Sequence, residues 1–348
     1  MPSRRASSEK MRTFLLMNVI DHPKDIVSFT AREFGLSRPA VLRHMHGLIK
    51  DGQMAVEGRT RDRAYKLLPI VEKTFSYAVS PELEEHIVWR DDVRPLLGDL
   101  PDNVIRICQY GLTEMFQNVI DHSEATFATV RVTRTLASVQ LVVSDNGVGI
   151  FNKVQKAFNL PDPRDSILEL AKGKLTTDPA RHSGEGVFFT SRVFDEFVMM
   201  SGNLFFSHTK PVGKLEDWLL EANGNVIVGT FIDMTISTRT QRTLQQVFDR
   251  FTTEDGEFGF TKTVIPVTLA RVGDENLVSR SQAKRLLVRF ERFREIVLDF
   301  HGVKTIGQAF ADEVFRVYAR SHPEVQIFSL NTRKQVQEMI ARTKAIGA

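Results

Sequence analysis

Three groups of residues in the middle of the chain have the types and spacing that chemistry needs. Glu114, Asn118 and His122 recur at i, i+4 and i+8, so on a helix they project from one stripe. An amide oxygen in such a stripe can ligate Mg2+, a neighbouring carboxylate can accept a proton from an attacking water, and an imidazole can contact phosphate oxygens. The run Asp145-Asn146-Gly147-Val148-Gly149-Ile150 offers a carboxylate to an adenine amino group, while Gly147 and Gly149 let backbone approach a ligand closely. Ser183-Gly184-Glu185-Gly186 precedes a helix-like stretch, Val187 to Phe194, whose first N–H groups can meet phosphates. Taken together, their order and separations predict a Mg2+-dependent ATP site. Taken singly, each has a plainer alternative: a polar helical stripe is a solvated face, and Asp-Asn-Gly is a common tight turn.

The elements that must hold these groups are legible nearby. Pro101 to Ser123 reads as a long helix, capped by Asp102 or Asn103, with apolar residues at Ile105, Cys108, Leu112, Met115 and Val119. Val130–Arg134 and Ser138–Val143 read as adjacent strands, the second ending at Asp145. Residues 151–183 contain Pro161, Pro163, Gly173 and Pro179, and are expected to form a mobile flap that offers Lys172, Lys174, Arg181 and His182 to phosphates. The plainer alternative is an ordinary surface excursion. No Gly-x-x-x-x-Gly-Lys-Ser/Thr run occurs.

The stretch from roughly residue 90 to 240 resembles the GHKL ATPase family, which includes histidine kinases, anti-sigma-factor serine kinases, gyrase, chaperone ATPases and mismatch-repair ATPases. The resemblance implies that Glu114 is the family's conserved acid and that Asn118 is the magnesium-ligating amide. It makes Asp145 the adenine-binding aspartate and Gly147, Gly149, Gly184 and Gly186 the two glycine boxes. Gly229-Thr230, before the strand Phe231–Ile236, resembles the family's closing element and adds Thr230 to the nucleotide-binding set. The Glu-x-x-x-Asn-x-x-x-His spacing is most similar to the anti-sigma kinases. The chain departs from the family at Gly184-Glu185-Gly186-Val187-Phe188-Phe189, where leucine usually follows the second glycine. Pro69 to Pro101 is too short for the dimerisation hairpin of a histidine kinase.

The formal net charge of +3 hides an asymmetry: residues 1–66 carry 13 Lys and Arg against 7 Asp and Glu, which is +6, leaving −3 for the rest. The basic end is expected to face a polyanion. A helix from about Met11 to Ile20, a second around Phe29 to Phe34, a turn at Gly35, a cap at Ser37 and a helix from Ala40 to Lys50 form a helix-turn-helix pattern. Two short strands, Met54–Val56 and Tyr65–Leu68, flank an arginine-bearing tip and complete a wing. Arg38, Arg43, His44, His46 and Lys50 would reach bases and phosphates of double-stranded DNA, and Arg59, Arg61 and Arg63 the flanking backbone. The other reading of the same pattern is a protein-interaction module with a solvated charged face. Through Phe29-Thr30-Ala31-Arg32-Glu33-Phe34-Gly35-Leu36-Ser37-Arg38 the segment resembles the winged-helix domains of bacterial transcriptional regulators. A homodimer is expected because such modules read paired half-sites.

Residues 69–100 read as a linker plus a helix leading into the central domain. Residues 255–348 alternate strand-like and helix-like segments, as in a small α/β domain. Within them Ile296 to Gly307 resembles the central strand and turn of STAS-like domains, the fold of anti-sigma-factor antagonists. The phosphorylated serine turn of that family is here Gly307-Gln308-Ala309-Phe310, so a docking or dimerising module, a partner for a regulatory protein, is expected.

With 348 residues and 42% hydrophobic content, the chain has room for two or three domains. The expected fold is multidomain α+β: a winged helix over 1–68, a linker over 69–100, a GHKL α/β sandwich over 101–240 and a STAS-like domain over 255–348. Its lone cysteine, Cys108, is expected in the core. There is no apolar run of roughly 20 residues to span a bilayer. Met1 to Lys10 lacks an export-type apolar follow-on, so a cytoplasmic protein is expected. The leading expectation is an ATP-binding, ATP-hydrolysing, DNA-binding regulator. The alternatives are a serine/threonine protein kinase acting on a partner, and an ATP-driven clamp.

Overall fold

The computed structural model describes residues 4–59, 62–176, 183–209, 216–221, 226–252, 259–271 and 276–347. It is a mixed α/β protein with several sheets.

The N-terminal unit is three helices followed by a hairpin: α1 (Arg4–Asn18), α2 (Ile26–Phe34), α3 (Arg38–Lys50), β1 (Met54–Glu57) and β2 (Ala64–Leu67). Gly35 ends α2 in the left-handed region at φ 61°, which only glycine adopts without penalty. Pro39 sits in the first turn of α3, but Ser37 makes no side-chain capping bond. Leu15, Val19, Ile26, Val41, Met45 and Leu48 are fully buried between the helices.

The stretch expected as a linker plus a helix supplies, ahead of its helical part, an edge strand, β3 (Val71–Ala78), paired antiparallel with β4 (Phe127–Arg134) from Val71–Arg134 to Ala78–Phe127. Its Tyr77 faces the core, meeting Phe116 with ring centroids 5.4 Å apart, and its hydroxyl donates to Asp92 Oδ2 at 2.7 Å. A short helical run follows, α4 (Glu85–Ile87), a π-helical turn over Val88–Val93, and α5 (Arg94–Leu97), burying Val88, Trp89, Val93 and Leu97.

The long helix α6 (Asp102–His122) starts after Pro101. Neither expected cap operates; Asn103 Nδ2 instead donates to the carbonyls of Thr240 and Arg242, at 2.7 and 2.9 Å, tying the helix start to a distant loop. Its apolar face, including Ile107, Cys108, Leu112 and Phe116, is fully buried, and burial pushes the Cys108 thiol up to about 12. Ile105 is only half-buried.

The chain continues as β5 (Ser138–Asp145), α7 (Ile150–Ala157), α8 (Pro163–Lys172), α9 (Gly186–Val193), β6 (Glu196–Gly202), β7 (Leu204–Thr209), β8 (Glu216–Glu221) and β9 (Ile227–Ser237). The seven strands form one sheet in the order β3-β4-β5-β9-β6-β7-β8, every pair antiparallel. Because β9 lies between β5 and β6, with Ser144 opposite Phe231, Thr230 is brought to the end of β5 where Asp145 sits. Within the interval expected as a flap, the described residues include the helices α7 and α8, and Arg181 and His182 lie outside the described residues.

After α10 (Leu244–Asp249) comes a parallel three-stranded sheet, β10 (Lys262–Pro266), β11 (Glu295–Asp299) and β12 (Gln326–Leu330), in that order. The crossovers contain α11 (Arg280–Leu287), with a Ser279/Gln282 capping box, and α12 (Gln308–Asp312), running through a π-helical turn into α13 (Ala319–Ser321). Helix α14 (Lys334–Gly347) follows β12. One hydrophobic core runs through both the seven-stranded and the three-stranded sheets, and a second fills the N-terminal unit together with Leu136 and Ala137 from the β4–β5 turn. Among the described residues no helix is long and apolar enough to cross a membrane.

Candidate functional site

The three groups singled out in the sequence converge on one pair of adjoining cavities. The first runs between α6 and α7. Its walls are apolar, from Met115, Val119, Ile150, Val154 and Ile232, and it also meets His122, Asp145, Gly149 and Thr230. The second is polar, bounded by Glu114, Ser183, Gly184 and Gly186. Asn118 lines both, as do Leu170, Leu175, Gly184 and Val187. Helical periodicity does this: a 21-residue helix puts Glu114, Asn118 and His122 along one half-buried edge of α6, while the face beside them carries the core.

Asp145 ends β5 almost wholly buried. Its Oδ1 accepts from the Gly147 N–H at 2.8 Å. Burial raises its pKa, opposed by hydrogen bonds from Gly147 and Thr230. The Thr230 hydroxyl oxygen accepts from the Ile150 N–H at 3.0 Å, which fixes the start of α7 to β9. Asn146 is structural, its Oδ1 accepting from the N–H groups of Thr126 and Phe127, each at 3.0 Å.

The glycines act mainly through close approach of the protein to itself. A Cβ on Gly147 would fall 2.0 Å from the Ser123 carbonyl oxygen, and one on Gly149 would fall 2.3 Å from Ser201 Oγ. Gly147 therefore packs its turn against the end of α6 and does not line either cavity, whereas Gly149 does. Gly184 meets the backbone of Leu175, with Leu175 N–H donating to the Gly184 carbonyl at 3.0 Å.

The lysines expected to face phosphates do not. Lys172 is fully buried and donates to Glu169 and to the Val288 carbonyl, and Lys174 Nζ donates to the Arg292 carbonyl at 3.0 Å. A cation left out of the expectation, Lys153 on α7, lines the apolar cavity and pairs with Glu124. Met115 and Val119 read in the sequence only as core residues of the helix, and Leu170 and Leu175 fell within the interval expected as a flap. They are buried, and the cavity opens along them.

These residues fit a magnesium nucleotide. An apolar slot with a buried carboxylate suits a purine that carries an amino group, and Asn118 with the first turn of α9 suits phosphates. Among the described residues there is no cluster of three or more His, Cys, Asp or Glu able to hold a metal by itself, so a magnesium ion here would complete its shell with phosphate oxygens and water.

On the N-terminal unit, Arg38, Arg43, His46 and Lys50 are exposed along α3, while His44 is half-buried with Nδ1 3.5 Å from Ser8 Oγ. Arg59 and Arg63 are exposed at the hairpin, the latter with its guanidinium 5.7 Å from the Tyr65 ring centre; Arg61 lies outside the described residues.

Residues 282–337 match the family described as a STAS-like domain of unknown function (DUF4325), a span from α11 into α14. No curated protein matches the chain.

Proposed function

We propose that this chain is a cytoplasmic, ATP-binding regulator in which a GHKL-type site, built on the seven-stranded sheet, controls an N-terminal winged helix that binds double-stranded DNA. The C-terminal STAS-like unit would be its docking module for a regulatory protein. The observation that carries this reading is the position of Asn118 at the junction of an apolar chamber containing Asp145 and a polar chamber containing Glu114. In that arrangement Asp145 accepts a hydrogen bond from the adenine amino group and Thr230 supports the turn behind it. Asn118 would hold Mg2+, which supplies neutralising charge at the phosphates. Glu114 takes the proton from an attacking water. The exposed arginines and lysine of α3 and the arginines of the hairpin would bind the DNA backbone and base edges, in keeping with the +6 charge of residues 1–66.

The test follows the γ-phosphate of labelled Mg-ATP incubated with the full chain, alone and with nucleotide-depleted cell extract, using Asp145→Ala as the blank. Label released as free phosphate, and lost in Glu114→Ala, is the expected result. Label on another protein would replace the regulator with a serine/threonine kinase, the reading that the Glu114, Asn118 and His122 spacing also supports. No nucleotide binding at all would end both.

A further inference from the structure

Among the described residues, the most deeply buried Asp, Glu, Lys and Arg side chains lie on α8, beside the candidate site. Lys172 is fully buried, and Asp165 and Glu169 nearly so. Lys172 Nζ donates to Glu169 Oε1 at 2.5 Å and to the Val288 carbonyl at 2.9 Å. Arg289 Nη1 donates to Glu169 Oε2 at 2.8 Å, and Arg285 Nε lies 3.3 Å from Asp165 Oδ1. Both carboxylates belong to the central unit, and both arginines come from the segment around α11 in the C-terminal unit.

The same seam continues along the backbone that leaves α8. The Lys172 carbonyl accepts from Thr263 Oγ1 at 2.8 Å, and the Gly173 carbonyl from Arg289 Nη2 at 2.9 Å. The Lys174 carbonyl accepts from Arg292 Nη1 at 3.0 Å and also from Arg289 Nη2. Three successive carbonyls are therefore satisfied by side chains of the C-terminal unit. Gly173 is closed in on its other side, where a Cβ would fall 2.4 Å from the Phe260 ring. The next residue, Leu175, lines both cavities, as does Leu170 near the end of α8, and Leu175 N–H donates to the carbonyl of Gly184 in the glycine loop.

A buried charge network costs desolvation that well-packed apolar groups would avoid, so its contribution here is to fix one register between two surfaces. Arginine suits this role because its planar fork bonds several oxygens at once, whereas lysine offers a single point charge. We infer that Arg289 is a positioning residue for the nucleotide site: it clamps the backbone at Gly173 and Lys174, so that the C-terminal unit sets how the Leu170–Leu175 wall closes over a nucleotide. The inference rests on the nucleotide reading above. By linkage, a nucleotide that favours the closed wall also strengthens the seam, which couples the C-terminal unit to the cavity in both directions.

The test uses the full chain and the variants Arg289→Lys, which keeps a charge opposite Glu169, and Arg292→Ala, which removes one exposed donor to Lys174 and leaves the buried charges in place. Amide hydrogen exchange is read without nucleotide, and Mg-ATP affinity by calorimetry. In Arg289→Lys, exchange at residues 173–176 should rise about 10-fold while α6 stays protected. Mg-ATP affinity should fall about 10-fold. Arg292→Ala should move both in the same direction by less. Unchanged exchange at 173–176 in both variants, or faster exchange with wild-type affinity, would overturn the inference. Asp145→Ala separates the two claims: it should abolish binding and leave exchange at 173–176 unchanged. Failure of the wild type to bind Mg-ATP would remove the nucleotide reading and this role together, and the exchange data would then report a purely structural seam.

Discussion

Gly186 lies so close to Glu114 that a Cβ added to the glycine would fall 2.1 Å from the carboxylate Oε2. The bare position at the start of α9 is what lets Glu114 occupy the polar chamber. Gly186→Ala should therefore displace the carboxylate while the fold survives, because the neighbour that must give way is the end of a flexible side chain. Phosphate release should fall on the order of 100-fold, the cost of misplacing a reacting group by about 1 Å. A variant with full turnover would remove Glu114 from the reaction.

Asp145 links function to stability. Burial raises its pKa in the folded state, so the folded protein loses stability as pH rises through that value and the group is forced to ionise. At pH 7 Asp145→Asn should melt at a higher temperature than the wild type, and the gap should narrow as pH falls through the Asp145 pKa. The same variant should lose Mg-ATP binding. A melting temperature below that of the wild type at pH 7 would mean that the hydrogen bonds from Gly147 and Thr230 outweigh desolvation.

Gly229 holds the other side of this turn at φ 75°, and a Cβ there would fall 2.0 Å from the Asp145 carbonyl oxygen. Gly229→Ala should destabilise the chain by about 1–3 kcal/mol for the backbone strain alone. The collision with backbone adds to that. Denaturant unfolding reads the loss, and a change under about 0.5 kcal/mol, ordinary for a surface substitution, would contradict the crowding.

On the N-terminal unit, Arg43→Ala and Lys50→Ala should each weaken binding to duplex DNA and reduce the slope of log K against log salt by about 1. His44→Ala should act mainly on stability, since His44 is half-buried beside Ser8. Salt slopes equal to the wild type's would point to a protein partner for this face.

The candidate site was readable in the sequence because its chemistry sits on a regular element: one helix with a fixed period places Glu114, Asn118 and His122 together. What could not be read was which surfaces other parts of the chain would cover. Lys172 looked like a phosphate ligand on a mobile flap, yet every residue from Asp165 to Lys172 is buried, because α8 packs against α7 and α9 and also against β10 of the C-terminal unit. Helical periodicity identifies the apolar face of Ile167, Leu168 and Ala171, but not that Arg285 and Arg289, far along the chain, cover the acidic side chains of Asp165 and Glu169. Strand β3 hid behind its lysine and two prolines nearby, although Val71, Phe75 and Tyr77 alternate as a half-buried edge strand does. Asn103 had the type of a helix cap, and a loop carbonyl pair 137 and 139 residues away claimed its amide instead.

Only residues 68–70 separate β2 from β3, and Ile70 N–H donates to the Arg134 carbonyl at 2.7 Å, so the N-terminal unit has almost no slack where it joins the sheet. Leu136 and Ala137 at the tip of the β4–β5 turn are packed into its core, and Thr238 Oγ1 holds the Leu136 carbonyl at 2.9 Å. A fragment ending at residue 68 would leave that apolar spot bare and lose solubility and stability together. The junction is built as a weld, so whatever turns the edge of the sheet should turn α3 with it.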